Sequence, residues 1–223
     1  KKAAAARSAF ESWRRVPVGE RVAVLRSALS YFETHRDAIA NEICEQMGRP
    51  LHQAAGEING LFERAEYLLS VTEQALAPDE LGERSGCDRR IVHEPLGVVF
   101  VISAWNYPFF VGTNVIVPAL LAGNTVLYKP SEAAAKVGLA MTAALHDAGV
   151  PADVMQCLVG AGDVGAALLE QDIDGVFFTG SYGTGKRIAE AVAGRMIRLQ
   201  MELGGKDPGY VREDANLDAA VDT

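Results

Sequence analysis

Cysteine and histidine are scarce in this sequence, and so are the patterns that would give them a structural role. Three of the 223 residues are cysteine and four are histidine. Cys44, Cys87 and Cys157 are odd in number and lack Cys-x-x-Cys spacing, so neither a disulfide framework nor a zinc site is expected. The histidines are too far apart in sequence to form a metal-ligand motif. This usage indicates a reducing, cytoplasmic location and no bound metal.

Clustered positive charge and long apolar runs are also missing. The net charge is −8 and the basic residues are scattered, which disfavours a nucleic-acid or anionic-membrane surface. No stretch of about 18 apolar residues free of glycine and proline is present, and no secretory signal is visible. The composition, 49% hydrophobic and 22% charged, is that of a soluble globular protein. We therefore expect neither nucleic acid nor a membrane as a partner.

The hydrophobic pattern divides the chain into three parts. Residues 1–80 show helical periodicity, which predicts a layer of packed helices. Residues 81–97 change to glycine, charge and alternation, which is typical of a β-ribbon. Such a ribbon suits subunit pairing, and a plain connecting hairpin fits the pattern equally well. Residues 98–223 alternate short apolar runs with helical patterns.

That alternation predicts a Rossmann-like α/β fold with a five-stranded parallel sheet covered by helices. The five apolar runs are residues 98–105, 124–130, 154–160, 175–180 and 197–203. In such folds the ligand crevice lies at the carboxyl ends of the strands. The candidate functional residues are therefore those at the ends of these runs.

The first two strand ends carry polar side chains whose roles the residues alone leave open. Asn106, in "AWNYP", could donate a hydrogen bond to a developing oxyanion, or it could cap the following helix. Lys129 and Glu132, in "YKPSE", could grip the two hydroxyls of a ribose. An ion pair at a helix start explains the same two residues.

The next two strand ends are rich in glycine. "GAGDVG" fits Gly-x-Gly-x-x-Gly between a strand and a helix, but the acidic residue expected about 20 positions later is out of place. Asp172 and Asp174 precede the next strand instead of following it. "GSYGTGK" is not a P-loop, because Arg187 stands where serine or threonine is required. It still offers N–H groups and a hydroxyl at a helix N-terminus, which suits a phosphate.

The fifth strand end holds a lone carboxylate, Glu202, at the end of an apolar run. A charge in that position is costly unless its charge or its proton is used. Partial burial would raise the pKa of Glu202 and let it act as a general base near neutral pH. Gly204 and Gly205 would let a ligand approach the backbone closely.

Taken together, "AWNYP", "AGNTVLYKPSE", "FTGSYGTGKRIAE" and "MELGGKDP", in this order, resemble the NAD(P)-dependent aldehyde dehydrogenases. The helical lead "AFESWRRVPVGERVAVLRSAL" is also similar to that family, so the resemblance covers essentially the whole chain. In this family a cysteine thiolate attacks the aldehyde, hydride passes to the nicotinamide, and an activated water hydrolyses the thioester. The resemblance implies a small-molecule aldehyde substrate and a homodimer or homotetramer when complete.

The resemblance assigns roles to the strand-end residues. Asn106 matches the oxyanion-stabilising asparagine, and Glu202 matches the base that activates water. Lys129 and Glu132 match the residues that hold the adenosine ribose. A glutamate at that place favours NAD over NADP, because it would repel the 2′-phosphate.

The same resemblance extends the cofactor site along the other strand ends. Gly180 and Ser181 match a turn that contacts the pyrophosphate, and Leu203 would lie near the nicotinamide through its carbonyl. The family's cofactor pose departs from the usual Rossmann pose, which accounts for the partial glycine fingerprint. The remaining implied contacts are Ser103, Ala104, Trp105, Ser131, Gly162, Val164, Gly165 and Gly204, with Gly162 and Val164 near the adenine.

The nucleophilic cysteine of this chemistry has no counterpart here. In the family it lies a few dozen residues beyond the "ELGGK" turn, whereas this chain ends at Thr223. Cys44 falls in the helical lead, Cys87 in the ribbon, and Cys157 in an apolar strand, where a thiol is usually inert. Helical patterns run to both ends of the chain without a cap, so we expect the front half of a longer enzyme.

Two other functions fit less well. A complete, non-catalytic dinucleotide-binding module is one, and a relative that passes its acyl group to coenzyme A is the other. Glu202 favours hydrolysis, because a water-activating base is needed for it. The helix after "AWNYP" would give the substrate tunnel a mainly apolar wall of Phe109, Phe110, Val111 and Asn114. Any arginine that binds a substrate carboxylate is expected outside this chain.

Overall fold

The structure, a computed structural model, describes residues 1–221, so the last two residues of the predicted 98–223 region lie outside the described part. The helices are α1 Lys2–Trp13, α2 Val18–Thr34, α3 Arg36–Met47, α4 Leu51–Ala75, α5 Pro108–Leu121, α6 Ala135–Asp147, α7 Gly162–Leu169, α8 Tyr182–Val192 and α9 Leu217–Val221. The strands are β1 Asp79–Arg84, β2 Cys87–Ile91, β3 Val98–Ile102, β4 Thr125–Lys129, β5 Met155–Cys157, β6 Gly175–Gly180 and β7 Arg198–Leu203. Short 3-10 turns occupy Glu132–Ala134 and Ala193–Arg195.

Five of these strands form one parallel sheet in the order β5-β4-β3-β6-β7, which confirms the predicted fold class. The chain builds outward from β3 to β5 and then returns to the other side of β3 for β6 and β7. The connections therefore reverse direction between β3 and β6, which is the switch point of a doubly wound fold. A crevice at the carboxyl ends of the strands is the expected consequence.

Helices cover both faces of the central strands, because those strands are apolar on both sides. Val99 and Val101 of β3 pack into a cluster with helices α2 to α6. Val98 and Phe100 pack into a second cluster with α1, α7 and α8. The alternation along β3 thus divides the core into two layers with the sheet between them.

The fifth strand departs from the expectation of a sheet covered on both faces. Within residues 1–221, β7 pairs with β6 alone and forms the edge of the sheet. Leu199 and Met201 are half-buried against the second cluster, whereas Gln200 and Glu202 are exposed. The reason is geometric, because α8 covers one face of β7 and no described element covers the other.

The ribbon of β1 and β2 begins at Asp79, earlier than the expected boundary at residue 81. Helix α4 ends at Ala75, and Pro78 cannot extend it because proline lacks the N–H that a helix interior needs. Every residue of both strands is exposed. Among the helices of residues 1–221, none has the length and apolarity needed to cross a bilayer.

Helix α5 is held at its C-terminal end by side chains from α1 and α2. The buried Arg21 guanidinium donates to the Leu121 carbonyl at 2.8 Å, and the Trp13 indole donates to the Leu120 carbonyl at 3.0 Å. Carbonyls in the last turn of a helix lack intrahelical partners, and a cation there also complements the helix dipole. Burial lowers the pKa of Arg21. These contacts fasten the helical lead to the helix that follows β3.

Helix α6 lies very close to the end of β4, and Gly138 makes that approach possible. A Cβ on this residue would come within 2.5 Å of Pro130 Cγ. Alanine at position 138 should therefore push α6 away from the segment that carries Lys129.

We expect Gly138→Ala to lower the free energy of unfolding by about 1–3 kcal/mol, the usual cost of overpacking. Gly56→Ala is the matched control, because no atom lies within 4 Å of the Cβ it would add in helix α4. The control should be stabilising by about 0.5–1 kcal/mol, because alanine is the better helix former. Urea unfolding followed by circular dichroism measures both changes, and equal midpoints for the two variants would contradict the packing argument.

Candidate cofactor and catalytic site

Polar and glycine residues lie side by side at the carboxyl ends of the parallel strands. This carboxyl-terminal edge of the sheet runs across the strands from β5 to β7. Neighbouring strands lie about 4.8 Å apart, so this edge is about 19 Å long from β5 to β7. The sequence-predicted site residues all lie on it, in the segments that end or follow the five strands. Residues after β5 and β4 occupy one end, those after β3 the middle, and those of β6 and β7 the other end.

The end of β4 presents a buried lysine beside an exposed carboxylate. The Lys129 ammonium lies 3.2 Å from the Pro130 carbonyl oxygen and 3.5 Å from Glu132 Oε2. The Glu132 side chain is 66% exposed. A hydrogen bond from its own backbone N–H and the nearby Lys129 charge lower the pKa of Glu132. An ion pair is therefore present, and its carboxylate still faces solvent.

Two neighbouring segments complete this end of the site. Ser131 caps the 3-10 turn after β4, because its hydroxyl accepts the Ala133 N–H at 3.3 Å. Helix α7 begins at Gly162, with Val164 half-buried in its first turn. A Cβ on Gly165 would lie 3.6 Å from Lys129 Cδ, so α7 packs against the stem of that lysine.

The segment after β3 carries Asn106 on an exposed turn. The Ser103 N–H donates to the Lys129 carbonyl at 3.2 Å, which extends the ladder beyond β3. Ser103 is buried and Ala104 half-buried, whereas Trp105 and Asn106 are exposed. Helix α5 then starts at Pro108 with Tyr107 at its N-cap, and Tyr107 makes no capping hydrogen bond. Asn106 therefore does not occupy the N-cap of α5.

The residue that caps α5 comes from a distant helix and was missed in the sequence. Glu57, in the second turn of α4, accepts the N–H groups of Phe109 at 2.8 Å and Phe110 at 3.3 Å. Arg49 forms an ion pair with Glu57 at 2.8 Å and also donates to the Asn106 carbonyl. Burial raises the pKa of Glu57, although the two N–H groups and Arg49 oppose that shift.

Two signals in the sequence pointed toward this contact. Glu57 stands beside Ile58 and one turn from Ala54 and Leu61, which places a carboxylate on the apolar face of α4. A helix that starts with proline after an aromatic residue also lacks a local capping oxygen. Neither signal identifies the partner, because 52 residues separate Glu57 from Phe109.

The end of β6 offers the first turn of α8. Ser181 is its N-cap, and the Ser181 hydroxyl accepts the Thr184 N–H at 3.4 Å. Gly180 pairs with Leu203 across the sheet, so the turn after β6 and the end of β7 lie side by side. The unpaired N–H groups of this first turn form an anion-binding environment.

Glu202 lies on β7 opposite Thr179, at the same edge as the other site residues. The prediction that Glu202 is partly buried is wrong. Among the elements of residues 1–221, Glu202 is exposed on the uncovered face of an edge strand. Leu203 and Gly204, which follow it, are exposed as well.

A cavity of about 470 Å³ lies between α4 and α5, next to the Asn106 turn. Its lining residues are Arg49, Gln53, Gly56, Glu57, Gly60, Tyr107 and Phe110. Of the expected tunnel wall, Phe110 lines this cavity and Phe109 does not. Phe109 is buried in the core, where its ring meets Phe32 edge to face at 5.7 Å between centroids. Val111 is half-buried and Asn114 exposed, outside the cavity lining.

The three cysteines lie apart from the Asn106 turn and from Glu202 in the fold. Cys44 is half-buried in α3, Cys87 is exposed on the ribbon, and Cys157 is half-buried at the end of β5. Burial raises the pKa of the Cys157 thiol, which lowers its reactivity. Within residues 1–221, no three His, Cys, Asp or Glu side chains form a metal-binding group.

The comparison with known proteins agrees with this architecture. The model of the aldehyde dehydrogenase family matches residues 1–223. The chain is 36% identical over 219 residues to N-succinylglutamate 5-semialdehyde dehydrogenase of Legionella pneumophila, covering 97% of this chain and 44% of that protein. It superposes with a TM-score of 0.93 and 32% identity on an NAD-dependent aldehyde dehydrogenase from Sinorhizobium meliloti, covering 100% of this chain and 45% of the other.

A third similar protein was solved with its cofactor. It is a variant of betaine aldehyde dehydrogenase from Staphylococcus aureus in complex with NAD+, with a TM-score of 0.94 and 29% identity over 99% of this chain and 46% of that one. The chain therefore spans less than half the length of the relatives it matches.

We expect Cys157 to react with iodoacetamide several-fold more slowly than Cys87 at pH 8, because burial raises the pKa of the Cys157 thiol while Cys87 is exposed. Mass spectrometry of peptides over a time course gives both rates. A Cys87→Ser variant shows whether the labelling rate of Cys157 is independent of Cys87. Equal rates for the two thiols would show that burial does not suppress the reactivity of Cys157.

Proposed function

This chain belongs to the aldehyde dehydrogenase family, and on that premise we propose that it supplies the cofactor-binding half of an enzyme that oxidises an aldehyde to a carboxylic acid. The observation that carries the proposal is the alignment of Asn106, Lys129, Ser181 and Glu202 along one sheet edge, on four different strand ends. Four chemically different groups at the carboxyl ends of parallel strands suit a site that both binds a dinucleotide and performs chemistry.

The residues at this edge fit a nicotinamide dinucleotide, which accepts a hydride when it is bound. The Lys129 and Glu132 pair offers a donor and an acceptor 3.5 Å apart, as the two hydroxyls of a ribose require. The N-terminus of α8, with Gly180 and Ser181, offers N–H groups to a pyrophosphate. Ser103, Ala104, Trp105, Ser131, Gly162, Val164, Gly165, Leu203 and Gly204 would complete the cradle.

Two residues are assigned to the chemistry itself. The exposed Asn106 amide would donate a hydrogen bond to the oxyanion that develops when a thiolate attacks the aldehyde. Glu202 would take a proton from the water that releases the acid from the thioester. The thiolate would come from sequence outside these 223 residues, because the three cysteines of the chain lie elsewhere.

The dehydrogenases similar to this chain suggest which aldehydes to test. One acts on N-succinylglutamate 5-semialdehyde and another on betaine aldehyde, which carry opposite charges. Both belong in a panel with simple aliphatic and aromatic aldehydes, and NADH formation at 340 nm is the readout.

We also propose a homodimer or homotetramer in the cytoplasm. The exposed apolar side chains of Leu81 and Ile91 on the ribbon support the oligomer, and the lack of a disulfide pattern supports the location.

We expect Glu202→Gln, in the complete protein, to lower steady-state turnover by about 100- to 10,000-fold, the usual contribution of a general base. The burst of one NADH per site should remain, because hydride transfer precedes hydrolysis. Stopped-flow absorbance resolves the two phases. Normal turnover would show that Glu202 is not the base, and turnover that depends on added coenzyme A would indicate acyl transfer in place of hydrolysis.

The cofactor is proposed to be NAD in preference to NADP, because the exposed Glu132 carboxylate would repel a 2′-phosphate. Removing one charge at about 4 Å in water changes the interaction by about 1 kcal/mol. We therefore expect Glu132→Gln to raise the ratio of kcat/KM for NADP to that for NAD by about fivefold. Glu190→Gln is the matched control, because Glu190 is 65% exposed on α8 and also paired with a lysine. Equal ratios in both variants would contradict the assignment.

A further inference from the structure

The turn that carries Asn106 is restrained by two charged residues from the α3–α4 region. Glu57 is buried and accepts the N–H groups of Phe109 and Phe110, the second and third residues of α5. A helix N-terminus needs such an acceptor, and the usual source is the side chain at the N-cap. Tyr107 occupies that position and makes no capping bond, so the start of α5 depends on Glu57.

Arg49 connects this cap to the residues on its other side. Its guanidinium lies 2.8 Å from Glu57 Oε2 and donates through its other terminal nitrogen to the carbonyl oxygen of Asn106. The same group lies over the Tyr107 ring, 4.2 Å from the centroid. One planar side chain therefore touches Asn106, Tyr107 and Glu57, as the rigid fork of arginine allows.

We propose that Arg49 and Glu57 are positioning residues for Asn106, and that they set the direction of its amide toward the developing oxyanion. The inference rests on the proposed function, in which Asn106 is the oxyanion donor. Arg49 binds the backbone carbonyl of Asn106, and Glu57 binds the N–H groups of Phe109 and Phe110. Both ends of the turn between these residues are therefore fixed. An oxyanion donor acts only if it is held close to its productive geometry.

A purely stabilising role does not account for this arrangement. A buried ion pair contributes little to stability compared with apolar residues of similar volume. Capping of α5 needs the Glu57 carboxylate alone, and the bond from Arg49 to the Asn106 carbonyl adds nothing to the cap. The contact with Asn106 is the part of the network that lies outside the helix cap and restrains the Asn106 turn directly.

The cavity beside the pair offers a competing role for Arg49. Arg49 lines this 470 Å³ space with Gln53 and Phe110, so it could bind an anionic group of a substrate. Both terminal nitrogens of Arg49 are already engaged, one by the Glu57 carboxylate that balances its charge. The structure therefore favours positioning, and the competing role becomes an outcome of the test.

The test compares Arg49→Met, Arg49→Lys and Glu57→Gln in the complete protein, alone and combined with Asn106→Ala. Arg36→Met is the matched control, because Arg36 also pairs with a carboxylate at 2.7 Å, donates to a second residue and lies over a phenylalanine ring, yet contacts Asn59 instead of Asn106. The readouts are the rate of the NADH burst, the KM for each aldehyde, the Kd for NADH from its fluorescence, and the melting temperature.

We expect Arg49→Met to slow the burst about 10- to 100-fold, less than the loss of about 100-fold or more for Asn106→Ala itself. The Kd for NADH should not change, and Arg49→Lys should recover part of the rate because it keeps the charge but not the fork. Arg49→Met combined with Asn106→Ala should be no slower than Asn106→Ala alone, because positioning has no effect once the amide is gone. Arg36→Met should leave the burst unchanged.

Three results would overturn the inference while leaving the proposed function in place. These are burst losses that multiply in the double variant, a burst unaffected by Arg49→Met, or a rise in KM confined to aldehydes that carry a second anionic group. The last would make Arg49 a substrate ligand. A burst unaffected by Asn106→Ala would instead contradict the role of Asn106, and with it the proposed function at that residue. If Arg49→Met does not fold, Arg49→Lys and Glu57→Gln give the same comparison.

Discussion

The parallel hydrogen-bond ladder centred on β3 is the constraint on which the rest of the structure depends. Its register aligns the ends of β4 and β6 with the end of β3, and the pairing of β5 and β7 extends that alignment to the two outermost strands. Because the strands are parallel, their carboxyl ends fall at one edge of the sheet. Residues more than 70 positions apart in sequence, such as Lys129 and Glu202, therefore reach the same edge.

Helix α5 connects the sheet to the N-terminal helices, because charged side chains from those helices bind both of its ends. Glu57 from α4 accepts N–H groups at the N-terminus, and Arg21 from α2 donates to the Leu121 carbonyl at the C-terminus. Each charge has the sign that the helix dipole favours at its end. The helices before β1 are thus more than a covering layer, since they fix the axis of the helix that begins just after Asn106.

The row of candidate site residues is packed differently at its two ends. At the β4 end, Lys129 is buried and α7 packs against its stem, so the lysine of the proposed ribose-binding pair is already packed in place. At the β7 end, Glu202 lies on an uncovered face. The proposed site therefore has packing partners within residues 1–221 at its β4 end, and it has none over Glu202 at its β7 end.

The sequence by itself determined the sheet, the strand ends and the family. The runs at 98–105 and 175–180 are apolar on consecutive residues and end in glycine or polar residues, a local signal that requires no knowledge of packing. Only the tertiary structure showed that Glu57 and Arg49 hold the Asn106 turn and that Glu202 is exposed. Capping partners 52 residues apart and the burial of a strand face depend on which elements pack together. Propensity and periodicity act over a few residues, so they can identify a buried carboxylate as costly but cannot identify the groups that compensate for it.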